Sequence, residues 1–146
     1  MSLSTPWPAR HHSATPPLPL LGCRVRAGFP SPADDHLDTE LDLHAHVVKR
    51  PAATYFVRAE GDSMRGDGIH DGDLLVVDRS LEARPGRVVI VALEGELTVK
   101  RLEQQAAGPC LVASHPDYPP IPLAGRECRV WGVVTHVVHA LPGGQR

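Results

Sequence analysis

Aromatic side chains are scarce in this chain, at 4% of its 146 residues. Hydrophobic residues still reach 42%, so a core must be filled by small aliphatics, mainly Val, Leu and Ala. Cysteine is almost missing as well. Cys23, Cys110 and Cys128 are odd in number and widely scattered, the pattern of a reduced cytoplasmic protein rather than a secreted disulfide scaffold. No apolar run approaches the length of a membrane span, and the N-terminus lacks the basic-then-apolar order of a signal peptide. A large excess of either charge is lacking too. Fifteen Lys and Arg against 17 Asp and Glu leave −2, which argues against a chain that coats nucleic acid. Secreted, membrane-embedded and collagen-like classes are therefore not expected. The length suits one compact domain; one of this size buries about 68–70% of its unfolded surface and needs no disulfide or metal to hold it.

What is present is unevenly spread. Seven of the 15 prolines (Pro6, Pro8, Pro16, Pro17, Pro19, Pro30 and Pro32) lie in residues 1–32. Each fixes its own φ and pushes the residue before it out of helical space, so this arm is not helical. Residues 1–27 carry Arg10, Arg24 and Arg26 with no acid, so their loss would take the net charge from −2 to −5. An acidic stretch follows, with Asp34, Asp35, Asp38, Glu40 and Asp42, as in a solvated connector. The expected organisation is an arm at 1–27, an extended connector at 28–52, a β-rich domain at 53–141 and a flexible tail at 142–146. No internal repeat is found.

The β reading rests on short Val-rich runs. Thr54 to Ala59, Leu74 to Val77 closed by Asp78, and Arg87 to Leu93 read as strands. Glu94-Gly95 makes a tight-turn signal, after which Glu96 to Lys100 alternates strictly. Leu111 to Ala113 and Val130 to Val134 complete the set, and the pairs Gly66-Asp67 and Gly72-Asp73 punctuate it. The expected fold is mainly β: a strongly bent sheet with an extended N-terminal arm.

Several tempting motifs carry no chemistry. His44-x-His46 and His136-x-x-His139, even joined by Cys110 and Cys128, do not supply the four convergent ligands of a zinc site. Gly66-Asp67-Gly68 lacks the third glycine and the strand–turn–helix setting of a dinucleotide loop. Gly61-Asp62-Ser63-Met64-Arg65 has arginine where a nucleophile elbow needs glycine.

Ser63 nevertheless follows a strand inside a turn-forming run, where its hydroxyl can sit at a cleft rim beside free backbone N–H groups. A serine needs a base. Lys100 closes the alternating strand, with Glu96 and Thr98 on its own face and Leu97 and Val99 on the other. A lysine acts as a base only when neutral, a state that burial favours. On spacing alone, a turn serine and a surface-strand lysine are the more ordinary readings.

The run Tyr55-Phe56-Val57-Arg58-Ala59-Glu60-Gly61-Asp62-Ser63-Met64 closely resembles the serine motif of the LexA/UmuD family of self-cleaving serine peptidases. Gly68 to Asp78 and Gly95 to Leu102 are similar to the segments that follow in that family, its lysine included, and Val130 to Val138 resembles the last strand. Gly28 to Ala33 resembles the region just after the self-cleavage point of UmuD proteins, so the likeness covers about residues 23–141. The resemblance implies a peptidase domain of LexA C-terminal type, with Ser63 as nucleophile and Lys100 as general base. It implies an oxyanion hole from the backbone N–H groups of Asp62 and Ser63, a scissile bond at Ala27–Gly28, and no cofactor or metal. Ala and Gly are the smallest residues, so an extended segment can lie close against a serine there.

Within the family, a repressor carries a helix-turn-helix ahead of its cleavage bond. The 27 proline-rich residues before Gly28 hold no amphipathic helix to read a major groove, so sequence-specific DNA binding is not expected. The UmuD branch is the better likeness, although the Pro- and His-rich start with Trp7 departs from its usual N-terminus. That branch implies a cytoplasmic protein of the SOS DNA-damage response whose cleavage is stimulated by a RecA-type recombinase filament on single-stranded DNA. The trimmed homodimer then serves translesion synthesis with a UmuC-like Y-family DNA polymerase subunit. Two other classes share features with this chain: a non-catalytic dimeric binding module of the same fold regulating a polymerase or repressor, and a processing peptidase of signal-peptidase type. Ser63 and Lys100 together beside an Ala-Gly bond speak against the first, and the want of a membrane anchor against the second.

Overall fold

The computed structural model describes residues 16–22, 24–28 and 37–143. It divides into two compact units, Met1–His46 and Val47–Arg146. Much of the arm's proline-rich start and of the acidic stretch thus lies outside the described residues.

In the first unit, β1 (Leu18–Leu21) pairs antiparallel with β2 (Leu37–Leu41), Leu18 opposite Leu41. All four residues of β1 are exposed, and Pro19 is tolerated because a two-stranded ladder consists of edges. A short helix, α1 (Leu43–Val47), follows; Asp42 starts it, its carboxylate accepting from the Ala45 N–H at 3.1 Å. The stretch expected as an extended connector thus contains a strand, a helical turn and, at Pro51–Ala53, a 3₁₀ turn.

The second unit is one antiparallel sheet. Its strands are β3 (Thr54–Arg58), β4 (Leu74–Asp78), β5 (Val88–Leu93), β6 (Glu96–Gln105), β7 (Gly108–Val112), β8 (Ile121–Pro122) and β9 (Cys128–Val138). Their order is β3-β4-β9-β5-β6-β7-β8. The continuous apolar run of β5 has a direct cause: both of its faces are covered. Val88 and Ile90 pack with Met64, Ile69, Leu75 and Val77, while Val89 and Val91 pack with Leu111 and Val133. Glu94 (φ 51°) and Gly95 (φ 87°) form the two-residue turn from β5 to β6, the doubly left-handed geometry whose twist matches a hairpin.

Two bulges bend β9. Thr135 is the extra residue where β9 crosses Val76 and Val77 of β4, and Trp131 where it crosses Ile90 and Val91 of β5. Between them Gly132 passes so close to β4 that a Cβ there would lie 2.5 Å from Val77 Cγ1. Only glycine fits. Among the described residues no helix is long and apolar enough to cross a membrane.

Candidate active site

The segment from Ala59 to Asp73 leaves the β3 edge strand and returns to β4, closed at its neck by two backbone hydrogen bonds. Ala59 N–H donates to Asp73 O and Gly72 N–H to Ala59 O, each at 2.8 Å. Gly61, at φ 90°, donates its N–H to the Asp71 carboxylate at 2.8 Å. Met64 is 2% exposed and plugs into the larger core cluster. Ser63, its neighbour, is therefore held half-buried by an anchor one residue away.

A second tie fixes the far side of the loop. Arg65–Asp67 form a 3₁₀ turn in which Gly66 donates its N–H to Ser114 O at 2.9 Å. A Cβ on Gly66 would stand 2.8 Å from both Cβ and O of Ser114, so this close approach requires glycine. Arg101 of β6 then donates from Nη1 to both Asp67 carboxylate oxygens at 2.7 and 2.8 Å and to Ser114 Oγ at 3.0 Å. Its Nε donates to Glu103 at 2.8 Å. These bonds lock the loop carrying Ser63 to the strand carrying Lys100. Arg101, Asp67 and Ser114 escape a reading of the sequence because each alone looks like a solvated polar residue.

Lys100 Nζ lies 3.3 Å from Ser63 Oγ, 3.0 Å from Thr98 Oγ1 and 3.1 Å from Val99 O. Thr98 shares its face, as the strict alternation predicts, while Val99 packs into the core. No carboxylate pairs with Lys100 among the described residues. Burial therefore acts unopposed by a counter-charge and lowers its pKa below the ordinary lysine value. Three polar neighbours suit an ammonium, which has three N–H groups. They suit the neutral amine equally, with two N–H groups for Val99 O and Thr98 Oγ1 and a lone pair for the Ser63 hydroxyl.

The N–H groups of Asp62 and Ser63 donate to no protein acceptor among the described residues. The Asp62 carboxylate accepts from Tyr118 O–H at 3.3 Å and lies 3.8 Å from His115 Nε2. A cleft of about 540 Å³ opens beside Ser63, walled by Val57, Ile90, Leu97, Val99 and Trp131. Tyr55, Arg58, Glu60 and Thr98 line it as well, so the cleft joins an apolar wall to a polar rim open to solvent, with room for an extended segment beside Ser63. Ala27 and Gly28 are exposed in the first unit, with open space around the Gly28 Cα.

The histidine and cysteine pairs of the sequence do not converge. His44 and His46 lie on α1, while Cys110 is buried on β7 and Cys128 half-buried on β9. Of those residues only His139 joins a cluster of metal-ligating type among the described residues, with His70 and Asp73.

Comparison with known proteins points to one family. The Peptidase S24-like family profile matches residues 19–135. SamA of Salmonella typhimurium is 48% identical over 121 residues, which cover 83% of this chain and 84% of SamA. MucA of Escherichia coli is 46% identical over 121 residues, 82% of each chain. The LexA repressor of Halorhodospira halophila is 41% identical over 125 residues, 84% of this chain but 54% of the repressor. The chain belongs to the Peptidase S24-like family, as a UmuD-type member of the LexA/UmuD group.

Proposed function

We propose that this UmuD-like protein of the SOS response cleaves its own Ala27–Gly28 bond, with Ser63 as nucleophile and Lys100 as general base. The family supports a self-cleaving serine peptidase kind of activity. The observation that carries the finer assignment is the 3.3 Å contact between Lys100 Nζ and Ser63 Oγ, made by a half-buried lysine that has no ionic partner among the described residues.

In this reading neutral Lys100 accepts the Ser63 proton as Oγ attacks the Ala27 carbonyl carbon. The carbonyl oxygen gains charge as the C–O bond forms and is met by the N–H groups of Asp62 and Ser63. The Lys100 ammonium then returns its proton to the departing Gly28 amine, leaving an ester between Ser63 and Ala27. Water, deprotonated by Lys100, hydrolyses that ester. Arm 1–27 is released and the product runs from Gly28 to Arg146. No step uses a metal or cofactor.

UmuD-like proteins as a family work with polymerase and RecA partners. For this chain the matching proposal is cleavage in the cytoplasm, stimulated by a RecA-type filament on single-stranded DNA. The trimmed homodimer then joins a UmuC-like Y-family polymerase subunit. Intact-mass measurement before and after incubation with filament and ATP tests it. The expected new N-terminus is Gly28-Phe29-Pro30; a chain that stays whole under filament and at alkaline pH would falsify self-cleavage and leave a binding module.

A further inference from the structure

Three side chains from distant parts of the sequence meet at the end of the sheet where β4 begins and β9 stops. Asp73 immediately precedes β4, His70 stands three residues earlier, and His139 directly follows β9. The register Leu74 opposite Val138 brings Asp73 and His139 side by side. Asp73 is 3% exposed. One of its oxygens accepts the His70 backbone N–H at 2.7 Å, and the other lies 2.5 Å from His139 Nδ1. The two imidazoles stack with centroids 4.6 Å apart.

One atom in this cluster is left over. His70 Nδ1 is buried and has no hydrogen-bond partner among the described residues; it faces Asp73 Oδ2 at 3.7 Å, too far for a hydrogen bond. Buried polar atoms are nearly always satisfied, so an orphan among metal-ligating groups points to something that belongs between them. Ligand atoms from His70, Asp73 and His139 lie within 4.8 Å of one another. Two imidazoles and a carboxylate match the ligand preference of zinc, at about 2.0–2.2 Å each. Tetrahedral ligands at that radius stand roughly 3.3 Å apart. His70 Nδ1 stands 3.7 Å from Asp73 Oδ2 and His139 Nδ1 2.5 Å from Oδ1, so the first pair is near that spacing, the second has to open by less than about 1 Å, and the widest pair, within 4.8 Å, has to close by up to about 1.5 Å as the half-exposed imidazoles turn.

We propose that His70, Asp73 and His139 form a zinc(II) site, with water or an external donor in the fourth position. The His70 and His139 side chains are 40% and 39% exposed, so an ion can enter and that position faces solvent. The ion would pin the chain after β9 to the same loop that presents Ser63. It takes no part in the proposed hydrolysis.

Calorimetric titration of zinc(II) into the metal-free full chain tests the site. One ion should bind with a dissociation constant at or below about 1 μM. His70→Gln and His139→Gln should each weaken it by about tenfold or more, whereas His44→Gln should leave it unchanged. Zinc should raise the melting temperature of the native chain and of His44→Gln but of neither site variant. Cobalt(II) should give the intense visible bands of a four-coordinate site in the native chain, a readout independent of how any variant folds. Weaker zinc binding than this, equal affinity in all variants, or only the pale spectrum of six-coordinate cobalt overturns the proposal.

Discussion

The two units of this chain are built on opposite terms. In the first, every residue of β1 is exposed and α1 buries nothing; its described residues form one short ladder, which alone is marginal in water. In the second, Leu75, Val77, Val89 and Val91 are wholly excluded from solvent in two clusters on opposite sides of β5. The contrast fits a protein that is at once substrate and enzyme. A bond to be cut must be accessible and cheap to open locally, whereas a nucleophile and its base must be held to a fraction of an ångström. The Ala27–Gly28 bond lies in the first kind of structure, and Ser63 and Lys100 in the second.

The largest expected effect comes from breaking the second unit's chemistry without touching its packing. Ser63→Ala and Lys100→Arg should each abolish self-cleavage in intact-mass assays, since arginine keeps the charge but holds its proton at any working pH. In the native chain the rate should climb about tenfold per pH unit as the neutral fraction of Lys100 grows. It should level off above the folded-state pKa, which burial places below the ordinary lysine value of about 10.4. A filament that buries Lys100 further lowers that pKa again and moves the rise toward neutral pH. Cleavage by Lys100→Arg, or a native rate flat from neutral to alkaline pH, removes the lysine from the mechanism.

A smaller effect is expected from loosening the lock between loop and strand. Arg101→Ala keeps both Ser63 and Lys100 but removes the bonds to Asp67 and Ser114 that hold the loop to the strand. Cleavage should slow by roughly 10–100-fold, the scale of a modest misplacement of reacting groups. A melting temperature lower by a few degrees should accompany it. Because the defect is positional, the pH at which the rate levels off should not move. A shifted plateau instead makes Arg101 an electrostatic partner of Lys100.

The strands were legible where burial on both faces writes itself as an unbroken apolar run, as in β4 and β5, and where Glu94-Gly95 demands a tight turn. β1 and β2 were not, because Pro19 and the acids around Glu40 read as irregular chain and only their pairing makes them strands. Nor were the bulges of β9, for the residues at Trp131 and Thr135 look like any others in a Val-rich run. Ser63 and Lys100 stood out through the family likeness; their 37-residue separation says nothing by itself. Arg101 and Asp67, 34 residues apart, carry no local pattern at all. His70 and His139 are joined by strand register alone, so spacing rules built for short metal motifs pass them over.

Milder still is the effect of crowding the bond itself. Gly28→Val places a branched side chain where open space now surrounds the Cα, so the fold should tolerate it. The branch obstructs close approach of an extended segment to Ser63, and cleavage should fall about tenfold with an unchanged melting temperature. An unchanged rate moves the scissile bond elsewhere.

The smallest expected effect is the sharpest test of the contrast between the units. A chain starting at Gly28 lacks β1, so β2 loses its partner and the ladder between them is gone. Among the described residues, the second unit's clusters begin with Tyr55 and Val57 of β3. Removing exposed residues should change stability by no more than about 0.5 kcal/mol. At this size that is a shift of about 1–3 °C in melting temperature. Calorimetry on the full chain and the shortened one should therefore give nearly superimposable transitions, while circular dichroism loses a little strand signal. A fall of 5 °C or more means that the arm contributes to the second unit's stability. The arm would then be a structural element whose release is costly, and the division between substrate and scaffold would not hold.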